Sequence, residues 1–293
     1  MSLFAGLEEI VKQNEPMSRH TWFRLGGPAR WFVRPRSKDE LLEVVRRCHE
    51  NEVAIYVLGK GSNILVVDEG LDATVIQLHD KCFCQITIED HIVCAGAGAS
   101  LTQLVQRCAR QGLSGMECMA GIPGTVGGAV KINAGGRFGD IGNVAQLVWL
   151  MDSSGYEFER QRSDIFFGYR MTNIMAKFIL EARFSLVPDD PERIGRLLKE
   201  VWMLKKNSQP MNSRNAGCVF KNPRALSAGA LIDKVGLKEY HVGGAYVSDK
   251  HANFIEVREE ATSKDVLKLI EVIKERVRER FEVELELEID IWP

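Results

Sequence analysis

Apolar residues recur along this chain at two spacings, one helical and one strictly alternating, and the switches between them mark the elements. Leu3, Leu7, Ile10 and Val11 share one side of a helical wheel and predict an amphipathic helix over Leu3 to Gln13. Arg30 to Val33 reads as a strand. Ser37-Lys38-Asp39-Glu40 has the form of a capping box and opens a helix with Leu41, Leu42, Val44, Val45 and Cys48 on its apolar side. Strand patterns follow at Val53 to Leu58, Ile64 to Val67, Ala73 to Leu78, Phe83 to Ile88 and His91 to Ala95. So many short strands in succession predict a β-rich sheet rather than a doubly wound βαβ series. Ser100-Leu101-Thr102-Gln103 is a second capping box, and its helix ends at Gly112. Leu147 to Met151 and Tyr156 to Phe158 flank Asp152-Ser153-Ser154-Gly155 as a hairpin, and Phe178 to Val187 is a long strand.

Pro188-Asp189-Asp190-Pro191 then marks a boundary. Beyond it the pattern predicts a helix over Glu192 to Lys206, a glycine turn at Ala216-Gly217 and a short helix from Ala230 to Val235. A strand at Asn253 to Val257 and a long helix capped by Thr262 and Ser263, ending near Arg280, come next. The last stretch alternates strictly, Phe281, Val283, Leu285, Leu287, Ile289 and Ile291 against Glu282, Glu284, Glu286, Glu288 and Asp290. That is the pattern of a half-buried strand with one wet or ligand-facing side.

One stretch fits neither period. Gly115 to Gly139 holds eight glycines, interleaved with Ile122, Val126, Val130 and Ile132. Flexible linkers are polar and rich in serine. A segment that is apolar and glycine-rich has to be buried and shaped, and it reads as a turned backbone wall whose N–H groups face an anion, a phosphate chain foremost. The familiar phosphate motifs are missing. Lys60 is followed by Gly61 rather than Ser or Thr, and neither Gly59/Gly61 nor Gly96/Gly98 has the third glycine of a dinucleotide fingerprint. Gly59-Lys60-Gly61-Ser62-Asn63, between two strand patterns, reads equally as a hairpin turn and as a second anion-facing turn with Ser and Asn donors.

Composition narrows the class. With 293 residues the chain has room for two domains or one large one, and a net charge of −2 gives no basic face for nucleic acid. The N-terminal stretch MSLFAGLEEIVKQN carries acids rather than a basic region, and no long apolar run follows it, which argues against a signal peptide or a membrane span. Seven cysteines without C-x-x-C spacing fit a reducing cytoplasm better than a disulfide framework or a zinc site, and the scattered histidines predict no metal site.

The segments TWFRLGGPA (21–29), GKGSN (59–63), AGIPGTVGGAVKINAG (120–135), GYR (168–170), NAGCVFKNP (215–223), LIDKVGLK (231–238) and GGAYVSDKHANFI (243–255) stand in one order and spacing. Together they resemble the UDP-N-acetylenolpyruvoylglucosamine reductase family, in its subgroup lacking an extra substrate-covering loop. The resemblance runs from about residue 20 to the C-terminus. It implies an α+β fold: a two-subdomain FAD-binding domain of the vanillyl-alcohol-oxidase type over 1–187, divided near 79/80, and a smaller α+β substrate domain over 188–293. It implies non-covalent FAD, with Gly59, Lys60, Gly61, Ser62 and Asn63 on one side and Gly121, Ile122, Pro123, Gly124, Thr125, Gly127 and Gly128 on the other. NADPH would be the reductant, and the enolpyruvyl ether of a UDP-sugar would be reduced to UDP-N-acetylmuramate for peptidoglycan. A cytoplasmic monomer is expected, with no membrane or nucleic-acid partner.

Three reacting residues are carried over by position. Arg170 would polarise the enolpyruvyl carboxylate, Cys218 stands where the family usually has a serine proton donor, and Glu288 would share stabilisation of the enolic intermediate. Asn222, Lys234, Tyr240, His251 and Asn253 are the expected substrate contacts. The chemistry is coherent, because hydride addition to an enol ether needs electron density drawn into the carboxylate and then a proton from a placed acid. A flavin oxidase of the same cofactor fold and a non-catalytic nucleotide-sugar sensor are the rival readings. The central glycine segment has no histidine, so a histidyl-linked flavin is not expected there.

Overall fold

A computed structural model describes residues 3–224 and 226–293. The chain forms two compact units, and neither is a single stretch of sequence. The first gathers residues up to 13, 31–59 and 73–204; the second gathers 14–30, 60–72 and 205–293. Each has its own apolar core.

The first unit is built on a five-stranded antiparallel sheet in the order Glu157–Gln161, Ala145–Met151, Phe178–Ser185, Ile92–Gly96, Ile86–Glu89. One face, with Val93, Ala95, Val148, Leu150, Ala182 and Phe184, is buried. A smaller sheet orders Val11–Pro16, Pro28–Val33, Leu71–Gln77 and Ile55–Leu58, the last two running parallel. Helix α1 (Lys38–Glu50) buries Leu41, Val44, Val45 and Cys48, as its spacing predicts. Its cap is only half a capping box. The Ser37 hydroxyl accepts from Glu40 N–H, while the Glu40 carboxylate turns back one residue further, to Arg36 N–H.

Helix α2 (Leu101–Arg110) buries Leu101, Leu104, Val105 and Cys108 and gives way to Gly112 at φ +67°. The capping box expected at Ser100 does not form. Leu101 N–H instead donates to Gly124 C=O, and Ser100 bridges Thr125, so backbone from the glycine segment takes the place of the cap. Helix α3 (Val126–Lys131) follows that segment, and helix α4 (Pro191–Ser208) follows the long strand.

The helix expected at Leu3–Gln13 is not there. A 3₁₀ turn at Glu8–Ile10 leads into the strand Val11–Pro16. Gly6 sits at φ +83°, Phe4 packs edge-on against Trp31, and Ile10 C=O accepts from Arg34 N–H. An available sheet edge outweighs a modest helical preference.

The second unit packs helix α5 (Ala228–Lys234) and helix α6 (Ser263–Phe281) with a three-stranded sheet of His241–Val242, Ala245–Val247 and Ile255–Val257. The cap of α6 is a full capping box between Thr262 and Asp265. Asp68 and Ser263 exchange hydrogen bonds there, which ties the 60–72 segment to the start of α6. The long final strand is mostly absent. α6 takes Phe281, Glu282 closes it in the left-handed region, and only Asp290–Trp292 pairs as a strand, parallel to Ile64–Val66. The alternation survives as burial, with Leu285 and Ile289 inside and Glu282, Glu284, Glu286 and Asp290 exposed.

Glycine is required at the start of α3 by proximity. A Cβ on Gly127 would lie 2.8 Å from the Ala97 methyl and 3.2 Å from its carbonyl oxygen. Helix propensity alone would favour alanine there by about 1 kcal/mol. The clash reverses the sign: Gly127→Ala should cost about 1–3 kcal/mol by overpacking. Gly136→Ala, where a Cβ meets nothing within 4 Å, should be near neutral. Urea unfolding midpoints of the two variants check the contrast.

Candidate functional site

In the first unit the two glycine motifs meet. A Cβ on Gly59 would lie 2.9 Å from Thr125 Oγ1, and Gly59 C=O is held by Gln77 Nε2 at 2.8 Å. Gly121 and Gly124 take φ of +72° and +139°, conformations open to glycine and strained for other residues. Thr125 caps α3 by accepting from Gly128 N–H. Val126 and Gly127 N–H donate to Ala99 and Ala97 C=O, each at 2.9 Å. The wall's N–H groups from 126 to 128 are therefore committed to protein, and the part shaped for a ligand lies around Gly121–Thr125, beside Ile122 and Pro123. A turned backbone with glycines on both sides and one hydroxyl suits a flat ring and a diphosphate, so these residues fit FAD.

The other members of the 59–63 motif belong to the second unit. The strand before the motif pairs with Leu71–Gln77 and the strand after it with Asp290–Trp292, so the motif is not a hairpin turn. Gly61, at φ +65°, lies under the His20 carbonyl, where a Cβ would approach to 2.0 Å. Lys60 and Ser62 flank it. The Asn63 amide donates to Glu288 C=O at 3.0 Å, and Asn63 C=O accepts from Asp290 N–H.

Arg170, in the first unit, occupies the second loop position of a tight hairpin, Phe167–Gly168 against Met171–Thr172. Its φ is +55°, where glycine or asparagine is usual and another residue costs about 1–2 kcal/mol. The half-buried guanidinium donates from Nη2 to Gly135 C=O at 2.7 Å and lies over the Tyr169 ring. Strain held by surrounding bonds is a mark of a placed functional group.

Cys218 and Glu288 come close in the second unit. Glu288 N–H donates to Val219 C=O at 2.8 Å, and Phe220 bridges Leu287, so the two segments run side by side. Glu288 is half-buried, whereas the four other acids of the alternating run are exposed. Burial thus separates a residue that periodicity could not. Cys218 is half-buried, follows Gly217 at φ +79°, and bridges Phe254.

The expected substrate contacts divide. Asn253, only 3% exposed, has both ends of its amide on the Phe220 backbone: Oδ1 accepts from the N–H at 2.9 Å and Nδ2 donates to the C=O at 2.8 Å. The Asn222 side chain accepts through Oδ1 from Ala228 N–H at the start of α5. The His251 ring lies against that same turn and edge-on to Phe254. Burial lowers its pKa below the ordinary histidine value, so it is neutral near pH 7. Lys234 and Tyr240 are exposed.

Two residues outside the expected set complete the picture. Asn133, buried at φ +47°, donates to Gly168 C=O in the Arg170 hairpin and accepts from Gly142 N–H. Asn215 accepts from Gly217 N–H and donates to Pro210 C=O, fixing the turn into Cys218. Both lie in motifs quoted above, but an asparagine two residues before a glycine reads locally as a turn residue, so nothing in the sequence set them apart.

A glycine cradle fitted to a flavin, on a sheet of this order, defines the class: an FAD-binding protein of the vanillyl-alcohol-oxidase kind. Residues 29–156 match the family described as FAD binding domain. A glucose dehydrogenase, Phl p 4.0202, shares the fold at 14% identity with a TM-score of 0.50 over 64% of this chain and 44% of that one. Residues 209–292 match the UDP-N-acetylenolpyruvoylglucosamine reductase, C-terminal domain. The reductase of Moorella thermoacetica is 40% identical over 99% of this chain and 96% of its own. That of Clostridioides difficile is 38% identical over 97% and 94%. The crystal structure of the Thermus caldophilus reductase superposes with a TM-score of 0.82 at 38% identity, over 95% of this chain and 97% of that one. The chain belongs to the UDP-N-acetylenolpyruvoylglucosamine reductase family. Among the described residues no helix is long and apolar enough to cross a membrane, and no cluster of His, Cys, Asp and Glu is arranged to hold a metal.

The Asn253 amide predicts a structural phenotype. Asn253→Ala strands a buried N–H and C=O of Phe220, which should cost about 2–6 kcal/mol at about 1–3 kcal/mol per unsatisfied group. Urea unfolding of the variant should show that loss. Unchanged stability with weakened sugar binding would instead make Asn253 a substrate contact.

Proposed function

We propose that this protein catalyses the NADPH-dependent, FAD-containing reduction of UDP-N-acetylglucosamine enolpyruvate to UDP-N-acetylmuramate in peptidoglycan precursor synthesis. The observation that carries the reading is full-length membership of the reductase family together with a strained, backbone-held Arg170 at the position expected to meet the carboxylate. FAD, bound non-covalently over the 1–187 portion, supplies the hydride taken from NADPH, and the UDP-sugar is held by the 188–293 portion. The enzyme works as a cytoplasmic monomer.

Arg170 meets the enolpyruvyl carboxylate. A planar guanidinium can engage both carboxylate oxygens, and in a dry site it lowers the energy of charge pushed onto them as hydride reaches the methylene carbon. Glu288 helps to hold the developing enol. Cys218 delivers a proton from its thiol to the carbon bearing the carboxylate, which completes the saturated lactyl ether. A thiol with a reference pKa of about 8.5 is mostly protonated near neutrality and is a stronger acid than a serine hydroxyl. Lys60, Gly61 and Ser62 line the diphosphate side of the cofactor. Lys234, Tyr240 and His251 contact the nucleotide sugar, the last as a neutral ring.

Arg170→Lys keeps the charge and loses the planar fork. The purified variant should remain yellow and be bleached by NADPH at the wild-type rate. Recovery of the colour on adding the UDP-sugar should slow at least about a hundredfold, the scale of removing one preorganised donor. Wild-type rates in both halves of the cycle would remove Arg170 from this role. A colourless protein that takes up no FAD would overturn the proposal as a whole.

The thiol and the carboxylate have their own test, again by anaerobic stopped flow. Cys218→Ser should retain substantial turnover, while Cys218→Ala and Glu288→Gln should be reduced normally and reoxidise slowly. Glu286→Gln, on an exposed side chain paired with Lys221, should behave as wild type. Iodoacetamide should inactivate the wild type and spare Cys218→Ser. Burial raises the Cys48 thiol and pushes Cys108 up to about 12, which leaves both inert, and exposed Cys82 is to be replaced in the background. Full turnover by Cys218→Ala would assign the proton to another group.

A further inference from the structure

Arg170 stands on a hairpin too small to hold itself. Its ladder is two residue pairs, Phe167 with Thr172 and Gly168 with Met171, and isolated two-stranded hairpins are at best marginal. The loop between them is Tyr169-Arg170, with the arginine in the left-handed region. Order has to come from elsewhere in the first unit, and the segment that leaves α3 supplies it. Lys131 C=O accepts from the Thr172 hydroxyl at 2.9 Å, and Lys131 Nζ donates to Ile174 C=O at 2.5 Å. Gly135 C=O takes the Arg170 guanidinium at 2.7 Å.

Between these lies Asn133, 1% exposed, with its side chain divided between two backbones. Nδ2 donates to Gly168 C=O at 2.8 Å, the residue just before the loop, and Oδ1 accepts from Gly142 N–H at 3.0 Å. Gly142 itself lies beneath the Phe167 ring, where a Cβ would approach to 2.5 Å, and its C=O accepts from Arg162. The one amide therefore joins the base of the hairpin to the layer under it. It is also held at φ +47°, so the segment turns in time for Gly135 to reach the guanidinium.

We propose that Asn133 is the positioning residue for Arg170: its amide sets the register and rigidity of the 167–172 hairpin, and through it the placement of the guanidinium. The proposal rests on the carboxylate-polarising role of Arg170 given above. Asn133→Asp is the variant of choice, because aspartate is isosteric, tolerates the left-handed region and keeps the acceptor for Gly142 while losing the donor to Gly168. Asn133→Gly keeps the backbone conformation and loses both bonds, and it serves if the aspartate does not fold.

Two measurements on the purified full-length flavoprotein test it. Hydrogen exchange across residues 166–175 should speed up by about tenfold in Asn133→Asp, the effect of one lost buried hydrogen bond. NADPH reduction should keep its wild-type rate, while reoxidation by the UDP-sugar slows by about tenfold or more, since small misplacements of a reacting group are costly. In the double variant with Arg170→Lys, reoxidation should be no more than about twofold slower than in Arg170→Lys alone, because residues acting as one unit are not additive. Unchanged exchange, proportional slowing of both half-reactions, or slowdowns that multiply would each overturn the proposal. So would wild-type reoxidation in Asn133→Asp alongside a slow Arg170→Lys, which leaves the Arg170 role standing. Wild-type reoxidation in Arg170→Lys would overturn that role, and this proposal with it.

Discussion

A buried backbone that is neither helix nor sheet must find partners for its N–H and C=O groups somewhere else. In this protein asparagine side chains supply them. Asn133 serves Gly168 and Gly142, Asn253 serves both groups of Phe220, Asn63 serves Glu288, and Asn215 serves Gly217. All of these backbone groups except that of Gly142 lie within two residues of Arg170, Cys218 or Glu288. A primary amide carries a donor and an acceptor side by side, as the backbone does, so it can stand in for one rung of a missing strand.

The arrangement explains how irregular segments can carry placed chemistry. Loops present functional groups well only when a rigid scaffold fixes them. Here the glycine wall is drawn against Ala97 and Ala99, and its approach is close enough that Gly127 has no room for a methyl group. Gly59 meets Thr125 on the same terms. The first unit thereby offers a glycine cradle and an arginine held in strain, and the second offers a thiol and a carboxylate on neighbouring segments. The cation suits a carboxylate, the thiol a proton transfer, and neither set is built to perform the redox step, which belongs to the flavin.

The turn through Asn215 and Gly217 fixes the backbone that leads into Cys218. A thiol placed there can be alkylated or oxidised, as a hydroxyl cannot.

Local pattern was sufficient for α1, α2, α4 and α6, for the Asp152 hairpin and for the cap at Thr262, because their signals lie within a few residues of the elements they form. It was sufficient, too, for the glycine motifs and, through their order, for the family and its cofactor. Two segments went otherwise. The N-terminal pattern became a turn and a strand, and most of the final alternating run stayed outside any sheet, because partners distant in sequence decided each. Nor could the sequence separate Glu288 from its four acidic neighbours, or show that Asn253 is spent on Phe220. The bonds that decide these points span 33 residues for Asn253 and 225 for Asn63. Short-range periodicity carries no record of pairings at that range; only the folded chain creates them.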